Sequence, residues 1–472
     1  MRILAGRFKW TVLCLVTSIA AMPAVTLATN GYFLIGYGAK SRAMGGAGIA
    51  FPQDGMAAAS NPAGMAEVDS GVVMGGEFFF PDRSVAAAKG DFAFQTPDKD
   101  AASPSRNKSG SNVFLIPSMG GVYKFNRRMS IGMSVIGNGA NTRYERNLFQ
   151  LTGGPFGTAG VQLIQMQMLP TAAYRLTKNQ SVGASLTIGI QQFRAYGLGN
   201  FGTPDPTDSD FQFSSDAANL TNRGNDYSYG AGVRVGWLGK FFNKRLNLGA
   251  YWASRTYMTK FDRYKGLFAE QGGFDIPEHF GVGIAIKPVG DRLTIAGDIQ
   301  KIRYSSIRSI ANRHPTTPLT DPCTRPIGLA PSQCALGRTT PPEPTSRALG
   351  ADNGFGFGWT DQTVYKVGFA FKASNKWTIR GGYNYARSPI PDDQLLFNLL
   401  ATAVTEKHIT AGLTYQVSRQ SSIDVSYVRA FTKSQVCAVS DGCKTLLTTA
   451  PDAFVAAQMK IDALGASYQF KF

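Results

Sequence analysis

From residue 70 to the C-terminus, apolar and polar positions alternate in segments of about ten residues. In Ser421-Ser-Ile-Asp-Val-Ser-Tyr-Val, the residues Ile423, Val425 and Tyr427 share one face. In the closing segment Leu464, Ala466, Tyr468, Phe470 and Phe472 do the same. Gln162-Leu-Ile-Gln-Met-Gln-Met-Leu has the same period of two, the mark of a half-buried strand. Fourteen segments carry the pattern: 70–80, 112–124, 128–137, 162–176, 180–194, 226–238, 244–256, 277–287, 291–303, 360–372, 375–388, 405–418, 420–432 and 457–472. Short connections such as Asn126-Arg127 and Ser374-Asn375 alternate with long ones near 81–111, 138–161, 195–225, 257–276, 304–359, 389–404 and 433–456. Short turns on one side and long loops on the other are how outer-membrane barrels are built. Lipid cannot satisfy a sheet edge, so a spanning sheet must close. The expectation is an all-β protein: a 14-stranded antiparallel transmembrane β-barrel over 70–472, in a bacterial outer membrane. A soluble all-β protein is the competing reading. Beyond residue 28 there is no run of 18 apolar residues, so no helical span is predicted.

The N-terminus reads differently. Arg2, Arg7 and Lys9 precede an apolar stretch over 10–28 that ends in small residues. That order predicts a secretory signal peptide over 1–28. An N-terminal membrane helix is the other reading, opposed by Pro23 and by the lack of a charged stop after Ala28. The cysteines agree with export. Cys14 lies in the signal, and the other four form two close pairs, Cys323 with Cys334 and Cys437 with Cys443. Four cysteines allow three connectivities; short-range disulfides within two long external loops are expected. No histidine stands beside either pair, so no metal site is expected.

Composition narrows the picture. Glycine is 53 of 472 residues and charged residues are 17%, against a usual ~7% and ~25%. Both suit a turn-rich all-β chain. The net charge of +17 is spread over strand ends, turns and loops, with no run of five basic residues. Contact with outer-membrane lipid and lipopolysaccharide phosphate accounts for it, and no nucleic-acid partner is expected.

Residues 29–69 are too rich in glycine and alanine for two good strands. Their apolar content and lack of charge runs suit a compact segment inside the lumen better than a disordered arm. Here Arg42-Ala-Met-Gly-Gly-Ala-Gly-Ile-Ala, Asp54, Ala57 to Ala59 and Asn61-Pro62-Ala63-Gly64 resemble the N-terminal hatch of FadL-type outer-membrane long-chain fatty acid and hydrocarbon transporters. Ile131-Gly-Met-Ser-Val, Trp377-Thr-Ile-Arg-Gly-Gly-Tyr-Asn-Tyr, Ser388-Pro-Ile-Pro and the last strands extend the resemblance over the whole mature chain. Asn61, Pro62 and Ala63 are its most specific part. The resemblance implies a 29–69 hatch plugging a 14-stranded barrel. It also implies passive uptake of hydrophobic molecules, which leave sideways through an inward kink in the third strand.

Candidate site residues follow. The third predicted strand runs into Gly137, Asn138, Gly139 and Ala140. Glycine within a strand marks bends, so these four are the candidate lateral gate; the alternative is that they begin the external loop. A ligand carboxylate needs a cation beside it. Arg194 and Arg308 lie near where the resemblance places basic pocket residues and are the candidate ligand partners. A two-residue slip would bring in Gln192, and rim arginines facing solvent or phosphate are the competing reading. Phe33, Leu34 and Ile35 either line the tunnel or anchor the hatch. Leu395, Leu396, Leu399, Leu400 and Val404 fall near helical spacing, to cap the barrel or pack on other loops. His279, His314 and His408 stand in no catalytic motif and read as structural or solvent-exposed. No phosphate loop is present, so neither enzyme activity nor a cofactor is expected. The terminal Phe472 resembles the signal read by the outer-membrane assembly machinery. The expected function is passive uptake of long-chain fatty acids or similar hydrophobic compounds by a monomer. A monoaromatic or alkane channel of the same fold, a general porin and a surface adhesin are the alternatives.

Overall fold

A computed structural model describes residues 30–88, 107–145, 157–202, 214–314, 348–443 and 454–472. The expected signal peptide and the Cys323–Cys334 pair lie outside these residues. Fourteen strands form the wall: β1 Gly71–Ala88, β2 Phe114–Lys124, β3 Met129–Asn141, β4 Gly160–Arg175, β5 Gln180–Tyr196, β6 Asp226–Phe241, β7 Leu246–Ala253, β8 His279–Ile286, β9 Leu293–Ile302, β10 Gln362–Lys372, β11 Trp377–Ala386, β12 Lys407–Gln416, β13 Ser421–Ala438 and β14 Phe454–Lys471. Each wall strand pairs antiparallel with the next. β14 returns to β1 in a register running from Gly71 opposite Lys471 to Ala88 opposite Phe454, which closes the barrel. Two-residue strands, Asn107–Lys108 and Tyr257–Met258, border β1 and β6.

The period-two pattern decides which residues face lipid. Ile423, Val425 and Tyr427 are exposed on the outside, as are Leu464, Tyr468 and Phe470. Asp424, Ser426, Ser467 and Gln469, between them in sequence, are buried. This apolar-out, polar-in alternation is that of a membrane barrel. The end strands run further than the pattern predicts. β1, β13 and β14 continue past the expected ends at 80, 432 and 457, so Cys437 sits in β13 rather than in a loop. Outside the hydrocarbon the lipid-facing alternation is no longer required, yet backbone pairing continues. Cys437 and Cys443 are joined, with Cα atoms 5.3 Å apart.

Residues 30–69 run inside the barrel and are nearly all buried. Short helical turns at Ala39–Arg42, Ala57–Ser60 and Pro62–Ala66 alternate with glycine bends. Gly46 has φ of 85°, and a Cβ there would meet the Ile35 carbonyl oxygen at 1.7 Å, so only glycine fits. Wall side chains hold this backbone. The Asp298 carboxylate of β9 accepts from Gly48 N at 2.8 Å and Ile49 N at 3.1 Å. Thr410 Oγ1 of β12 accepts from Gly45 N at 2.8 Å. Asn61 Nδ2 donates to the Ile49 and Trp237 carbonyls, both at 2.9 Å, while its Oδ1 accepts from Ala63 N at 3.1 Å. Asn61 thus caps the turn that Pro62 begins and ties it to β6.

Candidate functional site

Above the N-terminal segment, at the end of the barrel that carries the long loops, the interior is aromatic. Phe193 of β5 packs edge-on against Tyr264 and Phe268, with ring centroids 4.9 and 4.6 Å away. Phe268 in turn contacts Phe274 at 4.8 Å. Tyr304 meets Trp359 at 5.0 Å and Tyr32 at 5.7 Å. Two neighbouring cavities thread between these rings. The inner one is lined by Gly31, Tyr32, Phe193, Phe274, Trp359, Ala403 and seven further residues, none of them charged. The outer one shares Val161, Phe193, Phe268 and Phe357 with it and adds Leu198, Phe201, Phe355 and Phe397. Residues 395–404 close over both: Leu395, Leu396, Leu399, Leu400 and Val404 are all buried. Helix Leu395–Asn398 begins this cap. Asn398 pins it by accepting from Trp359 Nε1 at 2.5 Å and donating to the Phe357 carbonyl at 2.7 Å.

A third, lateral cavity lies beside the wall strands β2 and β3. β3 pairs with β4 along its whole length, from Met129 opposite Tyr174 to Asn141 opposite Gln162. With β2 it pairs only from Lys124 opposite Ser130 to Met119 opposite Val135. Beyond that point β2 keeps β1, β3 keeps β4, and the two strands no longer share hydrogen bonds. Residues 134–141 lose the alternation and are all buried, so the end of β3 leaves the wall for the interior. Pro117 of β2, just past the last pair, has no N–H to offer a neighbour, which suits an edge. Beside this break the cavity is lined by Pro117, Ser118, Ile136, Gly137, Leu34 and Tyr37 among others. Arg42 and Glu77, an ion pair with both side chains buried, form its polar side. Ala140 lines the inner aromatic cavity and Gly137 the lateral one, so the displaced end of β3 borders both.

The sequence-predicted residues are only partly brought together. Gly137 to Ala140 belong to β3 and not to a loop. Leu34 lines the lateral cavity; Phe33 is buried against His279 and Tyr304 and, with Ile35, lines none of the three cavities described. Arg194 does not reach the interior. Strand parity turns Phe193 inward and Arg194 outward, where its guanidinium lies over the Tyr196 ring. Arg308 is also exposed, pairs with Glu270 at 3.5 Å and donates to the Asp352 carbonyl. Neither arginine lines any of the three cavities described, which corrects the expectation that they face a carboxylate in them. All three histidines are buried, so the solvent-exposed reading fails for each.

Sequence reasoning passed over Arg234, whose buried guanidinium donates to the Ala58 and Ala59 carbonyls and meets His279 Nε2 at 3.1 Å. It also passed over Phe193, Phe268, Phe274 and Trp359. For the last three the signal was the density of aromatic residues in 261–274 and 355–359, unusual for water-exposed loops. Charge on the N-terminal segment is balanced by the wall. Lys40 lies 3.6 Å from Asp424 and 3.9 Å from Asp54. Burial raises the Asp54 carboxyl above its ordinary value, with Lys40 opposing the rise. Burial alone would raise Glu67 as well. Lys240, Arg175 and Ser181 outweigh it and hold Glu67 below the usual value.

Residues 15–472 match the family described as "Outer membrane protein transport protein (OMPP1/FadL/TodX)". Among solved structures the fold is similar to that of the Pseudomonas putida toluene transporter TodX. The two share 18% identity and a TM-score of 0.59, over 93% of this chain and 99% of that one. The Ralstonia pickettii toluene transporter TbuX gives 17% identity and a TM-score of 0.59, over 93% and 98%. A Pseudomonas aeruginosa FadL homologue gives 15% and 0.60, over 94% and 100%. At such identities the likeness is one of fold. No curated protein matches the chain.

Proposed function

Because the chain belongs to the outer membrane transport protein family that includes FadL and TodX, and is therefore an outer-membrane transporter of hydrophobic compounds, we propose that its cargo is a small, uncharged, aromatic one. The observation that carries this is the inner cavity. Tyr32, Phe193, Phe268, Phe274, Phe357 and Trp359 are six of its lining residues, and no cation is among them. A carboxylate moved from water into such a site would lose its hydration without a counter-charge. The lateral cavity does hold a cation, Arg42, but it is already paired with Glu77. Aromatic rings instead meet ring edges and faces, each well-placed pair adding about 0.5–1.5 kcal/mol. This reading therefore favours a monoaromatic compound over a long-chain fatty acid.

Transport on this reading needs no energy source. Ligand enters among the long loops, passes the outer and inner aromatic cavities, and leaves through the space between β2 and β3 into the bilayer. The N-terminal segment acts as a hatch that denies water and ions a path to the periplasm. Tryptophan fluorescence tests the reading, because Trp359 lines the inner cavity. Toluene should quench the detergent-purified protein saturably, and Trp359→Phe should remove most of that signal. Saturable binding of a long-chain fatty acid without binding of toluene would overturn the assignment.

A further inference from the structure

One strand row beyond the lining of the inner cavity stands an uncharged polar row that transport of a plain hydrocarbon does not use. Strand register places it. Ala140 stands opposite Leu163 and Leu163 opposite Phe193, giving the row that lines the inner cavity. The next inward row, two residues deeper and so about 7 Å away, is Asn138 opposite Gln165 and Gln165 opposite Gln191. All three side chains are at least 99% buried. Among the described residues, neither amide atom of Gln191 or of Gln165, nor Asn138 Nδ2, makes a hydrogen bond of regular geometry; the Tyr32 hydroxyl interacts with Gln165 and the Tyr37 hydroxyl with Asn138, while Gln191 has no such neighbour. The N-terminal segment adds two more atoms without a bond of regular geometry, Asn30 Oδ1 and the Tyr32 hydroxyl. Tyr32 joins row and cavity: it lines the cavity, and its hydroxyl interacts with the Gln165 amide. Each unsatisfied buried amide is costly, and such a cluster calls for an occupant.

We propose that Asn138, Gln165 and Gln191, with Tyr32 and Asn30, form an oxygen-recognition subsite for neutral aromatic ligands bearing a single hydroxyl, such as a phenol. The proposal rests on the aromatic-cargo reading above and narrows it. Primary amides offer both donors and acceptors, so they match a group that also does both. No cation stands in the row, which disfavours a carboxylate or phenolate. The ring occupies the aromatic cavity while the hydroxyl points to the amides, and Gly31, which lines the cavity and has φ of 63°, leaves room where a side chain would meet Tyr304 and Trp359.

Calorimetric titration of the intact purified protein with toluene, p-cresol and 4-methylanisole tests this. The three share a ring and differ in whether they donate, accept or do neither. The wild type should bind p-cresol about ten-fold more tightly than toluene, with 4-methylanisole between them. Gln165→Leu and Gln191→Leu should bring the cresol-to-toluene ratio close to one. The wild-type comparison needs no variant, so misfolding of either leucine protein does not weaken the test. Equal affinity for cresol and toluene in the wild type overturns the subsite while leaving the aromatic-cargo reading intact. A ratio that both variants preserve assigns the amides to ordered water only and overturns it too. Binding of none of the three sinks both readings.

Discussion

Phe193 and Arg194 are adjacent in sequence and face opposite sides of one wall. Residue chemistry alone favours the arginine as a ligand partner; strand parity gives the interior to the phenylalanine. The parity was hard to read because Gln191-Gln192-Phe193-Arg194 offers polar residues to both faces. The consequence is testable by titration. Arg194→Ala should leave toluene affinity within two-fold of the wild type. Phe193→Ala should weaken it clearly and cost about 3 kcal/mol of stability in denaturant, as a large-to-small core change does. Glu67 gives a pH effect of defined sign. Its carboxylate bonds Lys240, lies 3.4 Å from Arg175 and accepts from Ser181 Oγ at 3.3 Å, so its folded pKa lies below the ordinary 4.5. The stabilisation is fully present above 4.5 and is lost as pH falls through the lower, folded value. Proteolysis of the N-terminal segment should therefore rise as the pH drops below about 4.5, and Glu67→Gln should remove that dependence. A profile in which the wild type and the variant rise together would show that other carboxylates govern the docking.

At the scale of elements, the glycines of β3 were legible as a departure from regular pairing, and the strand does leave the wall there. What the sequence of β3 could not show is which neighbour it would lose. The lost partner is β2, and the residue that suits the break is Pro117, one strand away. A period-two pattern reports faces, whereas pairing between strands is a property of two segments at once. Continuing the observed register by one position would set Ser118 opposite Ile136, and both line the lateral space. A Ser118→Cys/Ile136→Cys protein gives a direct test of lateral release. Oxidised, it should retain toluene binding and lose most uptake into whole cells; reduced, it should recover that uptake. Uptake at the wild-type rate with the crosslink formed would rule the opening out as the exit.

Over the whole molecule, closure was legible because fourteen alternating segments and two kinds of connection leave one way to hide every edge from lipid. The docking of residues 30–69 was not legible in detail, because its partners lie far along the chain. Arg42 reaches Glu77 on β1, Lys40 reaches Asp424 on β13, and Arg234 of β6 reaches back to Ala58 and Ala59. No local pattern pairs such residues. These contacts hold the segment inside the barrel, and the Arg42–Glu77 pair tests whether they also seal it. Removing one member leaves the other charged and buried, a loss of about 3–5 kcal/mol, whereas replacing both with apolar residues of similar size is often neutral. Arg42→Met should therefore loosen the segment, lower the temperature at which the folded band converts on electrophoresis, and raise single-channel conductance in planar bilayers. Arg42→Met/Glu77→Met should return both quantities most of the way to wild type. If the double variant conducts as much as the single, the segment is held by the specific ion pair rather than by burial of balanced charge. If neither variant conducts more than wild type, the seal resides in the Asn61 and Asp298 hydrogen bonds, and the ion pair serves only the wall of the lateral cavity.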